Sequence, residues 1–282
     1  MAECQVCFRH CRIQEGRLGF CGGRIAKGGK VEAFNYGRVT ALALDPIEKK
    51  PLARFFPGSR ILSVGSFGCN LRCPFCQNHD ISWSEQARRY AKTAETLSPE
   101  ELADLALATR DRGNIGLAFT YNEPLIGWEF VRDAARLAKA QGLKTVMVTN
   151  GTAELAVLEE LKPYIDAMNV DLKGFTDEYY SRVLGGDRKQ VLAFIEAAVR
   201  TCHLELTTLI VPGENDTEEE MRALSQWVSR LKNPDGEEVP LHVSRFFPRF
   251  HMQDRGPTPV PTVYRLAEVA RENLQFVYTG NC

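Results

Sequence analysis

Cys69, Cys73 and Cys76 stand at intervals of three and two residues in the run Cys-Asn-Leu-Arg-Cys-Pro-Phe-Cys. Three thiolates this close can hold three irons of a [4Fe–4S] cube and leave the fourth iron open to another ligand. An iron with an open position is a place for chemistry. A structural zinc site would want a fourth ligand to close its tetrahedron. None is at hand, because His79 follows Cys76 by only three residues and Cys202 lies far along the chain. A second group, Cys4, Cys7, Cys11 and Cys21, places four thiols within eighteen residues among glycines 16, 19, 22, 23, 28 and 29. Such glycines let a backbone wrap an ion closely. Four thiolates suit zinc or a second iron–sulfur cluster alike, and spacing does not choose between them. Seven of the nine cysteines thus fall in ligand-like groups, which reads as reduced thiols holding metal.

These residues need elements to position them. From Ile61 the chain alternates short apolar runs with amphipathic segments. Strands are expected at 61–66, 115–120, 144–149, 167–172, 204–211 and 241–246, with a late one at 275–279. Helices are expected at 99–112, 125–141, 152–161, 188–201 and 217–231, the first capped by Ser98 and the last opening on a Thr217/Glu220 capping-box spacing. Repeated β-α units predict an α/β fold, a parallel sheet rolled into a partial (β/α)6 TIM-like barrel with active residues at the strands' C-terminal ends. The predicted organisation is a Cys-rich metal-binding segment (1–30), a β-hairpin or connecting segment (31–60) and the barrel (61–282). Within the second segment, Asp45 to Pro51 reads as an exposed loop.

Each polar motif falls where a predicted strand ends: Thr120-Tyr-Asn122-Glu123-Pro124, Thr149-Asn150-Gly151, Asp171-Leu-Lys173-Gly174 and Pro212-Gly-Glu-Asn-Asp216. A zwitterionic nucleotide needs such groups: an acceptor for its ammonium, a cation for its carboxylate and partners for its ribose. A net charge of −1 gives no reason to expect nucleic acid or a membrane as partner. No run of eighteen apolar residues and no basic-then-apolar leader is present, so the expectation is a cytoplasmic protein.

The Cys-x3-Cys-x2-Cys spacing with Phe75 before the third thiol resembles the signature of radical S-adenosylmethionine enzymes. Phe55-Phe-Pro-Gly58, Ser63-Val-Gly-Ser-Phe-Gly-Cys69 and Cys76-Gln-Asn78 are similar to the pyruvate formate-lyase activating enzyme branch, and the four-Cys N-terminus with Thr120-Tyr-Asn-Glu-Pro is similar to its AmmeMemoRadiSam subfamily. The resemblance spans essentially the whole chain. It implies a [4Fe–4S] cluster on Cys69, Cys73 and Cys76 and S-adenosyl-L-methionine (SAM) as cofactor, cleaved by one electron to a 5′-deoxyadenosyl radical that abstracts hydrogen. It further implies Phe75 at the adenine, Glu123 beside Asn122 at the ammonium, Asp171 and Lys173 at ribose and carboxylate, and a loosely matched His251 at the carboxylate. Thr149 and Asn150 stand in the matching Thr-Asn-Gly. Val148 replaces the Asp of the activating enzymes' cation site, and a missing carboxylate weakens the case for a hard cation.

The implied enzyme is an oxidoreductase of the activase kind, supplied with electrons by a protein such as ferredoxin or flavodoxin. Its substrate would be a protein or small molecule handled with Memo-like and AMMECR-like partners, or alternatively a glycyl-radical enzyme that it activates. The rival class is an iron–sulfur electron carrier, which would need no nucleotide contacts. Plainer readings stand beside these. Glu123 could be a helix-start carboxylate, Asp171/Lys173 a surface ion pair, and Asn150-Gly151 a turn. His10, His79, His203 and His242 read as surface or satisfied core histidines, and Cys202 as a small buried hydrophobe. Cys282 has no assignable role.

Overall fold

The computed structural model describes residues 1–282, apart from the side chains of Arg88, Ala91 and Lys92. Its centre is a sheet of β1 (Ala41–Pro46), β2 (Arg60–Gly65), β3 (Asn114–Phe119), β4 (Lys144–Thr149), β5 (Ala167–Asp171), β6 (His203–Ile210), β7 (Leu241–Arg245) and β8 (Val277–Gly280). Spatial order equals chain order. β1 runs antiparallel to β2, and every later pair is parallel. The crossovers carry α1 (Glu85–Thr93), α2 (Pro99–Ala108), α3 (Trp128–Ala140), α4 (Leu155–Leu161), α5 (Arg188–Ala198), α6 (Glu218–Val228) and α7 (Val260–Arg271). Right-handed crossovers in sequential order put all helices on one face, so the other face encloses an interior as in an unclosed barrel.

The expected strands agree with the observed ones to within a residue or two at nearly every end. Two helices were not legible. Residues Val260–Arg271 hide behind Pro259 and Pro261, which sit at the helix start where a missing N–H costs nothing. Residues Glu85–Thr93 are mostly polar and show no long apolar stripe. Ser98 and Glu101 form the full reciprocal capping box. At α6 only half of it forms: Thr217 accepts from Glu220 N at 3.2 Å, while the Glu220 carboxylate reaches across to Phe175 N at 2.6 Å.

The 31–60 segment is not a hairpin closed on itself. Lys30–Ala33 pairs with Arg24–Lys27, Arg38–Val39 with Glu95–Thr96, and β1 with β2. Strand-like pieces carry no information about their partner, which burial and the main sheet's open edge decide. Nor is Asp45 to Pro51 an exposed loop. Ile47 and Leu52 are fully buried against Ile61, Ala118, Val146 and Ala167. Lys50 is 2% exposed, its charge held by Asp45 at 2.9 Å, so an apparently polar stretch plugs the barrel end away from the strands' C-termini.

Glu205 anchors this plug from β6. Its carboxylate accepts from Ala53 N (2.9 Å) and Arg54 N (2.8 Å) and meets His203 Nε2 (3.0 Å) and His242 Nε2 (2.6 Å). Burial alone would raise this carboxyl; His203, His242 and the two backbone N–H groups overcome it and hold it at about 2. A depressed carboxylate contributes stability above its unfolded value, lost as pH falls toward its folded one. Some two and a half units correspond to roughly 3 kcal/mol. Glu205→Ala is expected to cost about that much in urea unfolding at pH 7, with the gap from the parent closing as pH falls from about 4.5 toward about 2. An unchanged midpoint at pH 7 would refute the anchor.

Candidate active site

The loop leaving β2 carries the three thiols, and the fold pins it from several sides. Cys69 N donates to Cys21 O at 3.1 Å and Arg72 N to Leu184 O at 2.8 Å. Arg72 Nη1 donates to Cys69 O (2.8 Å) and Leu71 O (2.7 Å), while Asn70 Nδ2 donates to Thr152 O (2.8 Å). Gly68 opens the loop at φ +97°, and a Cβ there would lie 2.7 Å from Cys21 O and 2.8 Å from Ile126 Cδ1. Gly68→Ala is therefore expected to shift the thiol loop and cost about 2–4 kcal/mol, combining a left-handed penalty with overpacking. Iron content after reconstitution, measured beside a thermal melt, checks it.

Cys69, Cys73 and Cys76 line one wall of a cavity of about 260 Å³ at the strands' C-terminal ends. Burial pushes the Cys73 thiol up to about 12, and raises Cys69 and Cys76 as well. In the metal-free chain these thiols hold their protons, which metal ligation displaces.

Glu123 enters from the turn after β3. It is 2% exposed, and its carboxylate accepts from Thr149 Oγ1 at 2.6 Å, Asn150 N at 2.8 Å and Leu125 N at 3.0 Å. It is thus a helix-start carboxylate as well as a cavity wall. Burial lifts it to about 7 against the pull of those donors. A carboxylate offers about four acceptor sites, so one remains for a ligand's ammonium. Asn122 beside it is spent on structure, accepting from Ser66 N (2.9 Å) and donating to Gly68 O (3.2 Å), while still lining the cavity.

Asn150, from the end of β4, donates to Cys69 Sγ at 3.7 Å and to Asn70 Oδ1 at 3.0 Å. From β5, Asp171 Oδ2 holds Lys173 Nζ at 2.7 Å, and both side chains line the cavity. Burial would lower the Lys173 ammonium, but the charge and hydrogen bond of Asp171 hold it up. Backbone contacts fix its position: Lys173 N donates to Tyr180 Oη (3.0 Å) and Asn215 Nδ2 donates to Lys173 O (2.7 Å). Phe75 lies on the same wall as the thiols, its ring edge-on to Phe246 at 6.0 Å.

Ten of the sequence-selected residues therefore surround one space: the three thiols with Phe75, Asn122, Glu123, Thr149, Asn150, Asp171 and Lys173. His251 does not line it. Its exposed ring lies against Phe250 (3.7 Å) and Trp83 (5.7 Å), and its backbone N–H bonds Pro74 O. The reading from sequence passed over Tyr121, Thr207, Ser244 and Asn281, which also line the cavity. Inward alternation along β6 and β7 was the available signal for Thr207 and Ser244. Tyr121, at φ +72° with its hydroxyl on Asp45 at 2.6 Å, gave none.

The donor set fits a thiolate-held cluster facing a zwitterion: three thiols, one spare carboxylate acceptor and one part-buried ammonium around one cavity. The Radical SAM superfamily model matches residues 63–225. The chain belongs to the radical SAM superfamily. Its cofactors are accordingly a [4Fe–4S] cluster and SAM. It is 38% identical to the protein MJ0808 of Methanocaldococcus jannaschii, over 99% of this chain and 81% of that one. It is 27% identical to the pyruvate formate-lyase 1-activating enzyme of Escherichia coli (strain K12), over 66% of this chain and 75% of that enzyme. Among solved structures, Streptococcus suis SuiB bound to S-adenosylmethionine matches with a TM-score of 0.58 at 12% identity, covering 76% of this chain and 48% of that one. The last likeness shows the fold alone. Among the described residues no helix is long and apolar enough to cross a membrane.

Proposed function

We propose that this radical SAM enzyme cleaves SAM reductively at a cluster held by Cys69, Cys73 and Cys76 and directs the radical at a C–H bond of a protein or small-molecule substrate. The observation that carries the reading is the single cavity that sets these thiols opposite Glu123, Asp171 and Lys173. When bound, the reduced cluster supplies one electron to the sulfonium and the SAM fragment supplies the hydrogen-abstracting radical. The chain's own residues bind and orient. Glu123 takes the ammonium, Lys173 the carboxylate and Asp171 a ribose hydroxyl. Phe75 offers its backbone to the adenine, and Thr149 and Asn150 hold Glu123 and Cys69 in place. The electron donor is a ferredoxin- or flavodoxin-like protein.

Similarity to the E. coli pyruvate formate-lyase 1-activating enzyme favours a protein substrate, namely the backbone Gly of a glycyl-radical enzyme. The four-Cys N-terminus favours instead a reaction shared with Memo-like and AMMECR-like partners. Anaerobic reconstitution with dithionite and SAM, read out as 5′-deoxyadenosine against methylthioadenosine, tests the reading. No 5′-deoxyadenosine from a cluster-loaded protein would return the chain to the class of iron–sulfur carriers. A glycyl-radical signal in a co-incubated glycyl-radical enzyme would decide between the two substrates.

A further inference from the structure

The four N-terminal cysteines ring a closed pocket directly behind the Cys69 loop, shared with Arg9, Arg24 and Asn70. Two arginines mark it as a place for negative charge. Arg24 is 4% exposed and clamped by Glu129 at 2.6 Å, yet its Nε has no hydrogen-bond partner among the described residues. It lines the pocket together with Cys4. Arg9 donates to Asn70 O at 2.8 Å and to Gly185 O, and lines the pocket with all four thiols. One cation thus joins the pocket to the Cys69 loop.

Among the described residues no three His, Cys, Asp or Glu side chains converge on a point where one ion would sit. The catalytic triplet shares that spread, as befits ligands divided among several irons.

The two sets are joined through buried polar atoms. Cys21 O accepts from Cys69 N at 3.1 Å. Asn70, 0% exposed, lines the pocket beside Cys7 and accepts from Asn150 Nδ2 at 3.0 Å, and the same Nδ2 reaches Cys69 Sγ at 3.7 Å. On the outer side, Cys11 is part-exposed and Phe20 is 42% exposed. On the exposed surface of residues 1–30, Arg12, Arg17, Lys27 and Lys30 stand against Glu3 and Glu15, in a chain whose net charge is −1. That surface suits an acidic partner.

We propose that Cys4, Cys7, Cys11 and Cys21 bind a second iron–sulfur centre that relays single electrons from an acidic redox protein to the Cys69/Cys73/Cys76 cluster. The relay rests on the SAM-cleaving reading; the second centre does not. In each transfer the N-terminal centre gives up one electron and the catalytic cluster gains it. The reduced donor protein then restores the first centre, and no bond is made or broken.

Anaerobic reconstitution with iron, sulfide and zinc all supplied should give about eight irons per chain in the parent and about four in a folded Cys69/Cys73/Cys76→Ala variant, with a reducible EPR signal in both. Zinc alone, or no metal, in that variant overturns the second centre. Freeze-quenching the parent against reduced flavodoxin should show the N-terminal signal before the catalytic one. Cys21→Ser should slow reduction of the catalytic cluster by flavodoxin more than tenfold while dithionite still reduces it. Simultaneous appearance of both signals in the parent, or an unchanged flavodoxin rate in the variant, overturns the relay. Two loaded centres without 5′-deoxyadenosine would leave the second centre standing and refute the SAM-cleaving reading instead.

Discussion

Alanine at Cys69, Cys73 or Cys76 is expected to abolish 5′-deoxyadenosine formation and the cluster signal at this site, with the barrel still folded. Removing one of three thiolates leaves a cube with two protein ligands, and no nearby Cys or His replaces the third: Cys21 and Cys7 are committed to their own pocket. The fold survives because the three thiols hang on a loop fixed by backbone bonds to Cys21, Ile81, Glu123 and Leu184 rather than by metal. Iron and sulfide analysis, EPR after dithionite and a far-UV melt test this together. SAM cleavage retained in any single variant would show that the catalytic iron is held elsewhere.

Glu123→Gln and Lys173→Ala are expected to weaken SAM binding more than tenfold without altering iron content. On the proposed reading each removes the protein's half of a charge pair with the zwitterion, a loss of about 2–5 kcal/mol. Glu123 also predicts a pH dependence with a definite sign. Its carboxyl sits at about 7 before the ammonium arrives, because burial outweighs Thr149, Asn150 and Leu125. A cation favours the ionised form. Affinity should therefore rise from about pH 6 to about pH 8, with a proton released on binding below that range, and Glu123→Gln should flatten the curve. Asp171 and Lys173, paired at 2.7 Å, also face the cavity. Isothermal titration in two buffers of different ionisation enthalpy reads both effects; equal affinities for parent and Glu123→Gln at high pH would place the ammonium elsewhere.

The contributions of sequence and tertiary structure divide along physical lines. Local rules were enough for the elements: strands β2 to β8 announced themselves as apolar runs, Ser98 and Glu101 as a cap, and Cys69, Cys73 and Cys76 as ligands, because each signal lies within a few residues. Placing Glu123, Thr149, Asn150, Asp171 and Lys173 around the thiols also followed from sequence, since a parallel sheet sends every strand's C-terminal end to one side. Contacts distant along the chain were another matter. Nothing local tells Lys50 that Asp45 and the barrel floor will bury it, or Glu205 that two backbone N–H groups and two imidazoles will converge on it. His251 matched a motif only loosely, and its exposed ring shows that a loop's path depends on what it packs against, here Phe250 and Trp83. The sequence determined that there are two cysteine sets. Only the tertiary structure decided that they share a wall, because Arg9, the Gly68–Asn70 loop and Asn150 come from separate parts of the chain and meet only when the N-terminal segment packs behind the catalytic loop.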